Sequence, residues 1–254
     1  MRVLVTRPAA QAAEWTRALR AEGVDAVALP LIAIGPPADS GAVRAAWDAL
    51  ALQRLVVFAS PNAAERFFAL RPAPARWPAG VRAASMGPGT SAALLRLGVP
   101  ATQVVEPDRA AAQFDSEALW AQLEGNDWRG ARVLWVRGDG GRPWLADTLR
   151  ARGAEVTPLA AYRRAAPAFD AAERARLDAA LALPARHLWF FSSSEAIDNL
   201  AATTAGDVAD WAAAAALATH PRIAERARRH GFGRVAESRP TLEAVRACIQ
   251  SSTP

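Results

Sequence analysis

The feature that most constrains this chain is a repeated series of strand-like and helix-like segments. Residues 132–164, RVLWVRGDGGRPWLADTLRARGAEVTPLAAYRR, open with an apolar run that reads as a buried strand and turn on Gly138, Gly140 and Gly141. They continue as an amphipathic helix ending at Gly153 and enter a second extended segment. The first thirty-odd residues have the same order: Val3, Leu4, Arg7, Leu19 and Gly23 recur as Val133, Leu134, Arg137, Leu149 and Gly153. Further on, LVVFASPNAAERFF is answered by HLWFFSSSEAIDNL, placing Phe191 on Phe58, Ser193 on Ser60 and Ala196 on Ala63. AASMGPGTSAALLRLGV is answered by ALATHPRIAERARRHGF, with Pro221 on Pro88 and Gly231 on Gly98. A last helix capped by Thr241 answers one opened by Ser116 and Glu117. Two copies of one βα series predict two doubly wound α/β domains, with ligand sites outside the carboxyl ends of the strands.

Composition narrows the function classes. A chain of 254 residues suits one large or two modest domains, and 52% hydrophobic residues suffice to bury a core. The apolar stretch from Trp211 to Ala218 is too short for a bilayer span, which needs about 20 residues. Arg2 and Arg7 bracket a short apolar run that is not a signal peptide, so a soluble cytoplasmic protein without membrane partners is expected. Ser251 to Pro254 are expected to fray. The single cysteine, Cys248, has no partner for an internal disulfide and falls on the apolar face of a terminal helix. His187, His220 and His230 lack metal-ligand spacing, so no metal is expected. All 30 basic residues are Arg, which excludes Schiff-base chemistry, pyridoxal attachment and a phosphate-loop lysine. A net charge of +5 with signs mixed along the chain suits an anionic small molecule; no basic run interleaved with aromatics points to nucleic acid.

In such folds the turn after each strand aims backbone N–H groups and a helix N-terminus at a common face, which favours anions. The turns built for this are Thr6-Arg7-Pro8, Ser60-Pro61-Asn62, Gly87-Pro88-Gly89-Thr90, Arg137 to Arg142 with Gly138 and Gly141, and Ser192-Ser193-Ser194. Helix capping explains any one of them; their recurrence in both halves is what points to a ligand with several negative groups. The glycine turn lacks the spacing of a dinucleotide fingerprint, so it gives NAD only weak support. Tyr162 is the only tyrosine. It reads either as a side chain covering a domain edge or as a hydrogen-bond donor and weak acid.

These motifs together resemble the uroporphyrinogen-III synthase family over essentially the whole chain. The resemblance is carried by VLVTRP, FASPNA, MGPGTSAAL, SEALW, VRGDGGRPWLADTLRARGAEV with its closing YRR, and FFSSSEAI. The departure is the last turn, where relatives usually show Gly and Thr and this chain has Ala218-Thr219-His220-Pro221-Arg222; His220 and Arg222 would there hold a carboxylate. The resemblance implies two similar doubly wound parallel-sheet (flavodoxin-like) domains joined by a two-strand linker, with an active-site cleft between them. One domain would comprise residues 1–33 plus 168–254 and the other 38–158, with linkers about 31–37 and 159–167. Tyr162 would stand at the cleft as the catalytic residue, hydrogen-bonding or protonating the hydroxyl that leaves the substrate.

The implied reaction is closure of hydroxymethylbilane, a linear tetrapyrrole with eight carboxylates, with loss of water and inversion of the last ring. No metal or organic cofactor is implied. A monomer is expected, meeting the upstream hydroxymethylbilane synthase at most transiently. The rival from another class is a two-domain binding or sensor protein that closes on an anionic ligand without changing it. A nucleotide-dependent enzyme on the 138–141 turn is a third reading.

Overall fold

The computed structural model describes residues 1–251. In chain order the elements are β1 (Arg2–Val5), α1 (Ala9–Ala21), β2 (Ala26–Ala28), β3 (Ala33–Gly35), α2 (Ser40–Asp48), β4 (Leu55–Phe58) and α3 (Pro61–Ala69). Then come β5 (Arg82–Ser85), α4 (Pro88–Arg96), β6 (Val104–Val105), α5 (Ser116–Leu123), β7 (Arg132–Gly138), α6 (Trp144–Ala151) and β8 (Glu155–Ala165). The chain closes with α7 (Ala171–Ala182), β9 (His187–Phe191), α8 (Ser194–Thr203), β10 (Ala215–Ala218), α9 (Pro221–His230), β11 (Arg234–Glu237) and α10 (Leu242–Ser251). Ser251, expected to fray, is the last residue of α10; 252–254 lie outside the described residues. No helix among the described residues is long and apolar enough to cross a membrane.

The chain divides into two compact units, Met1–Ala33 with Ala165 onward, and Ile34–Arg164. In the first, five strands lie in the order β11-β10-β9-β1-β2, and every neighbouring pair is parallel. In the second, the order is β3-β8-β7-β4-β5-β6, parallel from β8 to β6. Helices cover both faces of the second sheet, so its strands are apolar without alternation. Successive residues of β4 show this: Val56 and Phe58 enter a core with Trp47, Phe67 and Trp77, whereas Leu55 and Val57 enter another with Leu119, Trp128 and Leu149.

The helix ends follow from local chemistry. Pro61, Pro88 and Pro221 each occupy the first turn of a helix, where the missing N–H costs nothing. Asp170 and Glu173 form a reciprocal capping box on α7. As expected, Ser116 and Glu117 open α5; the cap before them is Asp115, its carboxylate accepting from the Ala118 N–H at 3.0 Å. An ionised acceptor is favoured there over a hydroxyl by the partial positive charge of the helix end.

Gly233, between α9 and β11, meets the neighbouring backbone so closely that an added Cβ would lie 1.9 Å from the Ala212 carbonyl oxygen. Gly35 has nothing within 4 Å of the same position. Gly233→Ala is therefore expected to lower unfolding free energy in urea titration by about 2–3 kcal/mol, and Gly35→Ala to stay within about 0.5 kcal/mol of the parent.

Candidate active site

In a sheet of this winding, ligands bind where the strand order reverses, beyond the carboxyl ends of the strands. The reversal in the second unit falls between β7 and β4, and the turns leaving those strands carry Gly138 and Ser60. Tyr162 of β8 joins them. Its hydroxyl lies 3.1 Å from Ser60 Oγ and accepts a hydrogen bond from the Arg164 guanidinium at 3.0 Å. The ring is only 1% exposed and belongs to the core with Phe58 and Phe67, so the reading of Tyr162 as cover for a domain edge does not hold. Gly138 makes room for it: a Cβ there would stand 2.8 Å from the ring and 3.1 Å from the phenol oxygen.

Ser60 is held by its helix. It caps α3, accepting from the Ala63 N–H at 3.1 Å. The body of α3 is pinned by Trp47, stacked on Phe67 with ring centroids 4.6 Å apart and donating its indole N–H to the Phe67 carbonyl at 2.9 Å. Asn62, in the first turn of α3, is buried and makes no side-chain hydrogen bond among the described residues. The next turn is in contact, since a Cβ on Gly89 would meet Pro61 at 3.7 Å. Here Gly87 begins α4 at φ 157°, against Phe114, and no side chain caps the helix; Thr90 is buried in its first turn. The Gly87 carbonyl takes the place of a side-chain cap, accepting from the Thr90 N–H at 3.0 Å and the Ser91 N–H at 3.1 Å.

The two arginines of the glycine turn are occupied. Arg137 donates to the carbonyls of Gly138 and Gly141, both at 3.2 Å, and so braces its own loop. Arg142 makes a two-pronged pair with Glu117, one prong at 2.7 Å, which raises its pKa chiefly through that hydrogen bond. The structure thus gives Arg142 a protein carboxylate in place of the ligand carboxylate expected from sequence.

In the first unit the reversal falls between β1 and β9. Thr6, directly after β1, donates its hydroxyl to the Phe190 carbonyl at 2.7 Å. Arg7 then lies over the rings of Trp15 and Phe190, with its carbon Cζ 4.5 and 5.5 Å from their centroids. Among the described residues its buried Nε has no acceptor, and its one polar side-chain partner is Gln11 at 3.5 Å. Burial holds its pKa down at about 10, offset only partly by Glu14. Pro8 begins α1 without a side-chain cap.

Ser193, flanked by the half-buried Ser192 and Ser194, caps α8 through the Glu195 N–H. In the divergent last turn His220 sits at φ −161°, extended backbone that any residue adopts, and its Nδ1 accepts the Arg222 N–H at 3.1 Å. That bond places the ring proton on Nε2. The exposed Arg222 guanidinium has no partner among the described residues.

Two participants were missed in sequence. Arg164 follows Tyr162 by two residues in one strand, and period-two alternation is the signal that would have put both on one face. Asp139, whose carboxylate accepts the Arg164 backbone N–H at 3.2 Å, had no signal beyond its place in a glycine turn. Among the described residues no group of three or more His, Cys, Asp or Glu is placed to hold a metal ion.

Comparison with known proteins adds the family. The family model for uroporphyrinogen-III synthase HemD matches residues 13–246. The chain is 36% identical over 184 residues to uroporphyrinogen-III synthase of Escherichia coli, covering 69% of this chain and 70% of that one. It is 29% identical over 219 residues to that of Synechococcus elongatus, covering 83% and 78%. Among solved structures, a mutant uroporphyrinogen III synthase from Thermus thermophilus superposes with TM-score 0.60 at 18% identity, covering 99% of this chain and 96% of that one. The Helicobacter pylori uroporphyrinogen-III synthetase gives 0.61 at 14% identity over the full length of both chains. The structural likenesses speak to the fold.

The Arg7 guanidinium is desolvated with little compensation among the described residues. Because its folded-state pKa lies below its unfolded value, the folded state disfavours the charged form, and below about pH 10 that cost is present in full. It is relieved as pH rises through that value, or when a bound anion pairs with the guanidinium. Arg7→Met is therefore expected to raise the thermal midpoint of the free protein at pH 7 by about 2 °C or more while weakening binding of an anionic ligand. Differential scanning fluorimetry on the free protein checks the first arm; an unchanged or lower midpoint contradicts it.

Proposed function

The chain belongs to the uroporphyrinogen-III synthase family, and from that membership we propose that it is a cyclising carbon–oxygen lyase acting on hydroxymethylbilane. The terminal hydroxymethyl group leaves as water, pushed by its pyrrole nitrogen to give an azafulvene. The substituted carbon of the last ring attacks, and the spiro intermediate fragments and recloses with that ring inverted. The observation that carries this reading is the family match running through both units.

The geometry supports it in two ways. The starts of α1 and α4, without side-chain caps, with Arg7 and with Arg222, which has no partner among the described residues, suit carboxylates. The Ser60–Tyr162 hydroxyl pair at the β7/β4 reversal suits a departing hydroxyl. The inverted product wins over direct closure when the last ring is held in the attacking orientation, which is a matter of positioning. We assign substrate contact to Arg7, Pro8, Ser60, Asn62, Gly87, Gly89, Thr90, the Ser192–Ser194 turn, His220 and Arg222. Arg137, Gly138, Gly141 and Arg142 shape the loop beside Tyr162. The setting we propose is cytoplasmic, with a monomer that meets the upstream synthase only transiently.

Freshly generated hydroxymethylbilane supplied to the protein, followed by oxidation and chromatography of the porphyrins, is expected to give the type III isomer well above the spontaneous type I. Type I alone overturns the reading and leaves a binding module.

A further inference from the structure

We propose that Ser60, and not Tyr162, is the hydroxyl that meets the reacting group, and that Tyr162 and Arg164 form a relay behind it. The inference rests on the cyclisation assigned above.

Proton bookkeeping around the three side chains sets the direction. An arginine has no acceptor, so the Arg164 contact at 3.0 Å makes the phenol oxygen an acceptor and leaves the phenol proton needing a partner elsewhere. The acceptor in reach is Ser60 Oγ at 3.1 Å. In the opposite order Ser60 would donate to a phenol oxygen already taking a bond from Arg164, and the buried phenol proton would have no acceptor among the described residues, a costly arrangement in a core. With the order Arg164 to Tyr162 to Ser60, Ser60 Oγ accepts twice, from Tyr162 and from the Ala63 N–H. Its own proton is then directed away from both. Exposure agrees: Ser60 is half-buried at the strand end, whereas Tyr162 is sealed in the core. Gly138 closes the arrangement, because its missing side chain is the space the phenol occupies.

The relay balances. The C–O bond of the hydroxymethyl group breaks with its electron pair going to oxygen. The Ser60 proton completes the departing water, and the pyrrole nitrogen lone pair forms the azafulvene. The phenol proton moves to Ser60, leaving a phenolate beside the Arg164 guanidinium. When the closed macrocycle regains aromaticity, the proton lost from ring carbon returns through Ser60 to the phenolate. Ser60 is thus catalytic, and Tyr162 and Arg164 are positioning residues acting through it.

The test uses the full chain with freshly made hydroxymethylbilane. Ser60→Ala is expected to lower kcat about 100-fold with a small change in KM, and Ser60→Thr, which keeps hydroxyl and cap, to recover to within about tenfold of the parent. Ser60→Asn, which keeps a capping side chain without a hydroxyl, is expected to be as slow as Ser60→Ala, separating the proton from the folding role of the cap. Tyr162→Phe added to Ser60→Ala is expected to cost no further activity, because both act in one chain. The parent should show a curved proton inventory in mixed light and heavy water, and Tyr162→Phe a linear one. Ser60→Ala at parental rate, or losses that multiply in the double variant, would overturn the relay while type III product from the parent left the family reaction standing. A parent yielding type I alone would sink the assigned reaction itself.

Discussion

Both sheets depend on one pairing choice: the strand that opens each βα series lies beside a strand from the other copy. β1 pairs with β9, Arg2 to Val5 against His187 to Phe190, and β7 pairs with β4, Val133 to Val136 against Leu55 to Phe58. Counted within the repeat, the first sheet runs second, first, third, fourth, fifth, the flavodoxin-like order, with two strands from one copy and three from the other; the second sheet has the same order from β8 to β6, with β3 added at its edge. That order puts the reversal where the copies meet. The Arg7 and Ser192 turns flank it in one unit, the Gly138 and Ser60 turns in the other. The site residues are where they are because of this exchange.

A local irregularity then delivers Tyr162. β8 follows β7 in regular register up to Arg137 against Ala160, but Gly138 stands opposite Tyr162, one residue out of step. A slip of one residue in a strand moves a side chain to the other face. Ala161 and Tyr162 are accordingly both buried in the same core, although neighbours in a regular strand alternate. From Tyr162 the alternation resumes, so Arg164 reaches the phenol from the same face. Burial of the ring and availability of its hydroxyl to Ser60 are thus one event. The aromatic packing around Phe58, Phe67 and Trp47 stiffens the ring and the cap it touches.

Much of this was legible in the residues. The repeat predicted the parallel α/β winding, and the family resemblance carried the reaction, because strand runs, prolines and glycines mark element boundaries through backbone sterics alone. What the residues did not reveal were the choices made between side chains in space. Glu117 takes Arg142 because α5 brings it near, and no sequence spacing announces a pair twenty-five positions apart. Asp115 takes the cap next to Ser116 because both residue types serve and the geometry selects one. His220 replaces the glycine of its counterpart turn without strain because the backbone there is extended, whereas Gly87 at φ 157° lies where a side chain is disfavoured.

The charge pattern completes the argument about recognition. The net charge of +5 suggests a protein that grips a polyacid with many arginines, yet most guanidinium groups with close partners serve the surface. Arg174 meets Asp178, Arg226 meets Asp198, Arg228 meets Glu237 and Arg246 meets Glu22, exposed pairs worth little each. The strand-end turns instead offer amides and hydroxyls fixed by helices, with Arg7 clamped between two rings. Holding eight carboxylates with long free side chains would freeze many rotamers on binding and still leave the last ring loose. Rigid turns lose little on binding, so the proposed assignment of the carboxylates to them is the one that would constrain the ring that must invert.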